Sequence, residues 1–204
     1  MYKNLKILLE NYGSKEIHPE VQKYIDNGSK GDLNLDQVKS LTSLPDNLEV
    51  EGNLILRNTK IKALPNNLKV GGELDLLGTP IASLPNNLKV NGELNLLGTS
   101  IRSLPSGLEV KGDLNLGWSG VESLPDDLKV GGNLILRSSN IVSISQLPLT
   151  MEVKGKITSY NHFSEEEIRK YKNAARDVRV NKKLNKRLSK DFSEEQLKTL
   201  EDFS

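Results

Sequence analysis

Residues 92–112 read GELNLLGTSIRSLPSGLEVKG, and the same spelling returns every 20 residues: glycines at 52, 72, 92, 112 and 132 each open GxLxLxx, a Thr or Ser, then xIxxLPxxLxV. Val121 stands in for Ile in one copy. Leu54, Leu56, Thr59, Ile61, Leu64, Pro65, Leu68 and Val70 fill the first full copy; Leu94, Leu96, Thr99, Ile101, Leu104, Pro105, Leu108 and Val110 fill the third. Imperfect copies flank them. Gly31 to Glu51 is one residue longer, Gly132 to Lys154 is three longer, and Gly155 with Ile157 forms a remnant.

One such unit cannot bury its apolar residues alone, whereas stacked units line up identical columns into a continuous core. The period therefore predicts a solenoid of about six repeats. Alternation in LxVxGxLxL sends Leu68, Val70, Leu74 and Leu76 to one side and Lys69, Glu73 and Asp75 to the other, predicting one half-buried strand per period, paired in parallel with its equivalents. The LP corner turns the chain back because proline fixes its backbone angle and donates no hydrogen bond.

GELNLLGTSIRSLP resembles the LxxLxLxxNxL consensus of leucine-rich repeats, with Thr99 in place of the asparagine. The LPxxL element, as in Leu84, Pro85 and Leu88, is similar to short repeats of bacterial effectors and of proteins from bacteria and their phages. The resemblance covers roughly residues 31–157. It implies an α/β fold, a leucine-rich-repeat solenoid with a parallel sheet, whose concave face usually binds protein partners. Some effectors with such repeats carry a ubiquitin-ligase domain that uses a catalytic cysteine, which this chain does not have.

The organisation expected is an N-terminal helical cap over 1–30, the solenoid over 31–160 and a basic helical segment over 161–204. Leu5, Ile7, Leu8 and Leu9 precede Gly13, and Pro19 through Tyr24 precede Gly28, the usual proline-start and glycine-stop of helices. Phe163-Ser164 with Glu167 and Ile168, and Phe192-Ser193 with Gln196 and Leu197, spell capping boxes with hydrophobic staples. Residues 169–190 hold ten Lys or Arg against one Asp, a local charge of +9. Ile168, Tyr171, Ala175 and Val178 share one helical face while Val180, Leu184 and Leu188 fall on the opposite one, which predicts a break near Val178 to Asn181.

Composition narrows the function classes. The chain has 204 residues, 36% hydrophobic, only 4% aromatic, no cysteine and a net charge of +1. Disulfides, thiolate metal sites and a cysteine nucleophile are excluded. No stretch approaches the roughly 18 apolar residues of a membrane span, and Met1 to Glu10 lacks the pattern of a secretion signal. A cytoplasmic location is expected, host cytoplasm if phage-encoded, with no membrane contact. The two histidines, His18 and His162, sit at element boundaries without triad logic. The glycine pairs lack both the GxxxxGK[ST] of a phosphate loop and the nine-residue period of calcium-binding repeats. No catalysis, cofactor or metal is expected.

The outward columns carry the candidate site. Asp32, Asn53, Glu73, Glu93, Asp113 and Asn133 form one, with three acids in succession about 4.8 Å apart. These acids read either as a site for a basic partner or as solvated carboxylates that keep a repetitive surface soluble. Leu77 and Leu97 lie between Arg57 and Arg137 in another, with Trp118 one residue round from Gly117. Trp118 reads as an interface anchor or as a ring folded back over the convex corner. The protein-binding residues expected are thus Glu73, Asp75, Leu77, Glu93, Leu97, Asp113 and Trp118. The alternative is a nucleic-acid-associated protein using Arg169, Lys172, Arg176, Arg179, Lys183, Lys186 and Lys190, with Tyr171 stacking on a base, although no nucleic-acid motif is present. A structural component of a phage or bacterial assembly is a third reading.

Overall fold

The computed structural model describes residues 17–86, 88–159 and 163–191. Two units follow one another along the chain, Met1–Phe163 and Ser164–Ser204. The first is an α/β solenoid of parallel strands. Its first described element is helix α1 (Pro19–Asp26), capped by His18, whose Nδ1 accepts the Glu20 N–H at 3.3 Å. With Nδ1 accepting, the ring proton sits on Nε2 and is donated to Ser40 Oγ at 3.0 Å. Val21 and Tyr24 are the buried residues of this helix. The Tyr24 hydroxyl donates to the Ser29 carbonyl at 2.7 Å and accepts the Glu51 N–H at 3.3 Å, tying α1 to the first coil. Burial raises this phenol above its ordinary value. The expected helix around Leu5 to Leu9 lies outside the described residues.

Each coil then makes two strands of two residues: β1 (Leu33–Asn34), β2 (Glu49–Val50), β3 (Leu54–Ile55), β4 (Lys69–Val70), β5 (Leu74–Asp75), β6 (Lys89–Val90), β7 (Leu94–Asn95), β8 (Glu109–Val110), β9 (Leu114–Asn115), β10 (Lys129–Val130), β11 (Leu134–Ile135), β12 (Glu152–Val153) and β13 (Ile157–Thr158). Odd-numbered strands form one seven-stranded sheet and even-numbered strands a second, six-stranded one, each in chain order and parallel. The register is one period throughout, Leu74 beside Leu94 and Leu94 beside Leu114. The longer coils keep it: Leu33 pairs with Leu54 and Leu134 with Ile157. The added residues near the end are taken up by a 3₁₀ turn, Ile144–Gln146, where Gln146 Oε1 accepts the N–H groups of Val142 and Ser143, both at 2.8 Å.

The single strand expected over Leu68 to Leu76 is therefore two strands, β4 and β5, separated by Gly71, Gly72 and Glu73. Gly72 belongs to a column of glycines whose backbones touch. N–H groups of Gly52, Gly72, Gly92, Gly112, Gly132 and Gly155 each donate to the carbonyl of the preceding glycine, from Gly31 onward, at 2.9 Å. A Cβ at Gly92 would lie 2.6 Å from the Gly72 carbonyl carbon and 2.7 Å from the Glu73 nitrogen. The chain bends where only hydrogen fits, and the bend divides the alternating stretch between two sheets.

Leu, Ile and Val columns fill the space between the sheets. Leu54, Leu74, Leu94, Leu114 and Leu134 are fully buried, as are Ile61, Ile81, Ile101, Val121 and Ile141. At the position of the asparagine in the leucine-rich pattern, Thr59, Thr79, Thr99, Ser119 and Ser139 turn their hydroxyls back to the carbonyls of Leu56, Leu76, Leu96, Leu116 and Leu136, at 2.7–3.0 Å. Each coil thus satisfies its own buried turn, with no bond to the next coil required.

The second unit is helix α2 (Glu165–Asp191). Its start is the capping box the sequence spells: Ser164 Oγ accepts the Glu167 N–H at 3.2 Å and Glu167 Oε2 accepts the Ser164 N–H at 2.7 Å. The Ser164 N–H and then its hydroxyl, which donates to Oε2 at 2.8 Å, hold the Glu167 carboxyl below its ordinary value. The break expected near Val178 to Asn181 is absent. No glycine or proline occurs in 165–191, Ala, Arg, Lys and Leu are good helix formers, and three acids complement the N-terminal dipole, so opposed apolar faces do not suffice to interrupt the helix. Val180 is exposed accordingly. The second capping box, at Ser193, lies outside the described residues.

Replacing Gly92 by alanine is expected to destabilise the chain by about 2–3 kcal/mol through backbone overlap with the preceding coil. Urea unfolding followed by circular dichroism measures it, and a loss under 0.5 kcal/mol would contradict the glycine column.

Candidate functional site

The outward side of the odd-numbered sheet has three columns, built by the residue before each strand, its second residue, and the residue two further on. In the first column, side chains do backbone work. Asp32 Oδ1 accepts the Asn53 N–H, Asn53 Oδ1 that of Glu73, and Asp113 Oδ1 that of Asn133, each at 2.7 Å; Asn133 Oδ1 accepts from Lys156 at 2.9 Å. Asp113 is held further by Asn133 Nδ2 at 3.0 Å. The carboxylates at 32 and 113 are thus structural acceptors as well as surface charges.

Glu73 and Glu93, both half-buried, stand between them. Burial and the neighbouring charge of Asp75 push the Glu73 carboxyl above its ordinary value, with Arg57 opposing. Glu93 is raised by burial first and then by Glu73, Asp113 and Asp75. These two side chains gather negative charge that Arg57, from another column, offsets in part.

The second column turns the strand ends. Asn34, Asp75, Asn95 and Asn115 each accept, through Oδ1, the backbone N–H two residues on, at 3.0–3.1 Å. Asp75 is fully buried rather than displayed, and its other oxygen pairs with Arg57 Nε from the preceding coil. Asp75 in turn raises the Arg57 guanidinium above its ordinary value. Of the expected partner-binding residues it is the one the fold encloses. A diagonal pair one coil apart is visible in aligned repeats only when second and third columns are read together.

The third column runs Asp36, Arg57, Leu77, Leu97, Gly117 and Arg137. Leu77 and Leu97 are half-buried. The residue that follows takes a left-handed backbone in every coil: Gln37, Asn58, Gly78, Gly98, Trp118 and Ser138 have φ between 53° and 67°. Glycine suits this conformation; a tryptophan there is a genuine outlier. Trp118 is also 67% exposed, so it does not fold back as cover. Leu-Gly in two coils becomes Gly-Trp in the next, which moves the bulk one place along and leaves a groove of about 490 Å³. Leu97 and Trp118 stand beside it, Asn115 and Ile135 line it, and Arg137 and Ser159 complete it. Asn115, Ile135 and Ser159 were not singled out by sequence reasoning; the one-place swap at 117–118 was their signal.

On α2, Arg169, Arg176, Lys183 and Lys186 are exposed and Lys172 and Arg179 half-buried, while nothing is described of the Lys190 side chain. Arg176 lies 3.6 Å from Asp177. Tyr171 is buried, which raises its hydroxyl to about 12 and removes it as a stacking platform. His162 lies outside the described residues. Among the described residues no helix is long and apolar enough to cross a membrane.

Compared with models of known families, with curated proteins and with solved structures, the chain finds no match. The class that its own geometry defines is an α/β solenoid of parallel strands with a charged and apolar outer sheet face.

Truncating Arg57 to alanine leaves Asp75 enclosed without its cation. A cost of about 1–3 kcal/mol is expected, toward the low end because Arg57 is 44% exposed. In an Asp75→Asn background the same truncation should cost under about 0.5 kcal/mol, since Asn95 and Asn115 show that an amide makes the same turn. A double-mutant cycle in urea measures the coupling.

Glu93→Gln tests the acidic column. A carboxyl raised in the folded state opposes folding once ionised, so the penalty is absent below the ordinary value of 4.5 and complete above the raised one. The variant should therefore have the higher urea midpoint at pH 7, and the difference should vanish near pH 4. An equal midpoint at both pH values would contradict it.

Proposed function

We propose that this chain is a non-catalytic protein-binding scaffold of the leucine-rich-repeat kind, presenting the outer face of its odd-numbered sheet to a protein partner. The observation that carries this reading is Trp118, exposed although held in a backbone conformation unfavourable to it, next to Leu97. A strained, exposed aromatic beside aliphatic side chains is the composition of an interface anchor. Glu73 and Glu93 supply the acidic margin, while Asp75 serves the scaffold beneath. A cytoplasmic setting in a bacterium or phage-infected host is consistent with the absence of cysteine and with the repeat resemblance.

The exposed cations of α2 favour a second reading, nucleic-acid association. That reading predicts binding to duplex DNA or RNA whose affinity falls steeply with salt and is lost on truncation after Phe163.

A photo-crosslinking amino acid placed at Leu77 or at Lys89, on the even-numbered sheet, separates these possibilities in host lysate. The expected result is a discrete protein adduct from position 77, resistant to nuclease, absent from position 89, and no longer bound in purified form by Leu77→Glu/Leu97→Glu. Adducts from both positions alike, or sensitivity to nuclease, would overturn the sheet-face reading.

A further inference from the structure

The groove beside Trp118 has a shape and a charge setting that define an occupant more closely, and the following rests on the sheet-face reading above. At about 490 Å³ it has room for one large side chain, with Leu97, Ile135 and Trp118 offering apolar surface. Its lining depends on glycine at 117: a Cβ there would meet Leu97 Cδ1 at 2.8 Å, Asn115 Oδ1 at 3.2 Å and the Arg137 carbonyl at 3.3 Å, so a leucine, as at 77 and 97, would displace Leu97 and reshape the groove.

Charge sets direction. Glu93 and Asp113 precede their strands by one residue and Gly117 lies four residues beyond Asp113, so the acids stand about 13 Å from the Gly117 end of the groove, where Leu97 and Trp118 face it, along the strand direction at about 3.3 Å per residue. Arg137 places positive charge on the groove's own margin, which disfavours a basic residue beside the anchor and leaves the acidic side for it. An extended peptide covers the same distance in four residues.

We infer that the groove between Leu97 and Trp118 receives a large apolar side chain from an extended peptide segment of a partner protein, with a lysine or arginine four residues away lying on Glu93 and Asp113. The swap of Leu-Gly for Gly-Trp makes the pocket and its wall together. Trp118, in its left-handed backbone, supplies part of the groove's lining.

Random dodecapeptides displayed on phage and selected against the full chain test this. Enriched sequences should carry Lys or Arg four positions from Phe, Leu, Ile or Met, and a synthetic peptide of enriched sequence should shift the emission of Trp118, the sole tryptophan. By titration calorimetry its affinity should fall at least tenfold for Gly117→Leu, for Trp118→Gly and for Glu93→Lys. The first two install residues that neighbouring coils already carry at those positions, and a cooperative urea transition identifies the folded variants; Trp118→Gly, which meets no such crowding, should unfold at a higher urea concentration than the parent and tests the groove by itself. Enriched peptides that bind Gly117→Leu and Trp118→Gly as tightly as the parent would overturn the groove while leaving the sheet-face reading standing. Selection yielding no sequence above an uncoated surface would overturn both.

Discussion

Backbone-to-backbone contact in the glycine column is the constraint on which this solenoid depends. Successive coils approach at the spacing of paired strands, about 4.8 Å, and at the bend between the two sheets that spacing leaves no volume for a side chain. Six consecutive N–H to carbonyl bonds at 2.9 Å run through the column. The bend, the division into two sheets and the register of every core column follow from it, because each glycine can be stacked in only one phase of the repeat. The added residues of the first and last long coils are accordingly expelled into the stretches between strands, leaving both ladders in register.

A stack this close must also dispose of its polar atoms coil by coil. Thr and Ser hydroxyls close the inner turns, Asn and Asp side chains close the strand ends, and the first outward column lends acceptors to the next coil's backbone. Little of the outer sheet face is therefore free of structural duty. The side chains of Leu77, Leu97 and Trp118, in the third column and the left-handed place after it, carry no such polar duty, and there the repeats differ from one another most plainly. A groove at that place is the consequence of an exchange between two positions whose summed bulk stays similar, which the scaffold tolerates because neither side chain enters the core.

Much of this was legible in the sequence because a solenoid writes its core as identical letters in register. The 20-residue period, the Leu, Ile and Val columns, the parallel pairing and the Ser164 capping box required only alignment and alternation. Four features escaped for physical reasons. The bend at Gly72 interrupts an alternation that continues in letters on both sides of it. Asp75 reads as an outward charge, and only a neighbouring coil's Arg57 explains how it is enclosed. Opposed apolar faces in 165–191 suggested a break, but intrinsic helix preference without glycine or proline outweighs an amphipathic mismatch. The acidic column was visible as charge, while its second role as a ladder of acceptors depends on side-chain direction that letters do not carry.

Trp118 draws these threads together. Its left-handed backbone is imposed by the coil, since the residues at 37, 58, 78, 98 and 138 share it. Energetics in a repeat array are set by each unit and its nearest neighbours, so the strain is confined to one coil and offset by the core contacts that coil makes on both sides. Glycine at 118 would remove the strain and keep every core contact, and the fold therefore supplies no reason for tryptophan. What tryptophan adds is outside the core: an exposed ring at the edge of a groove opened by Gly117, two half-buried acids on the same sheet face, and no packing role of its own. A residue that the scaffold disfavours and the surface displays is where an array of near-identical coils becomes specific.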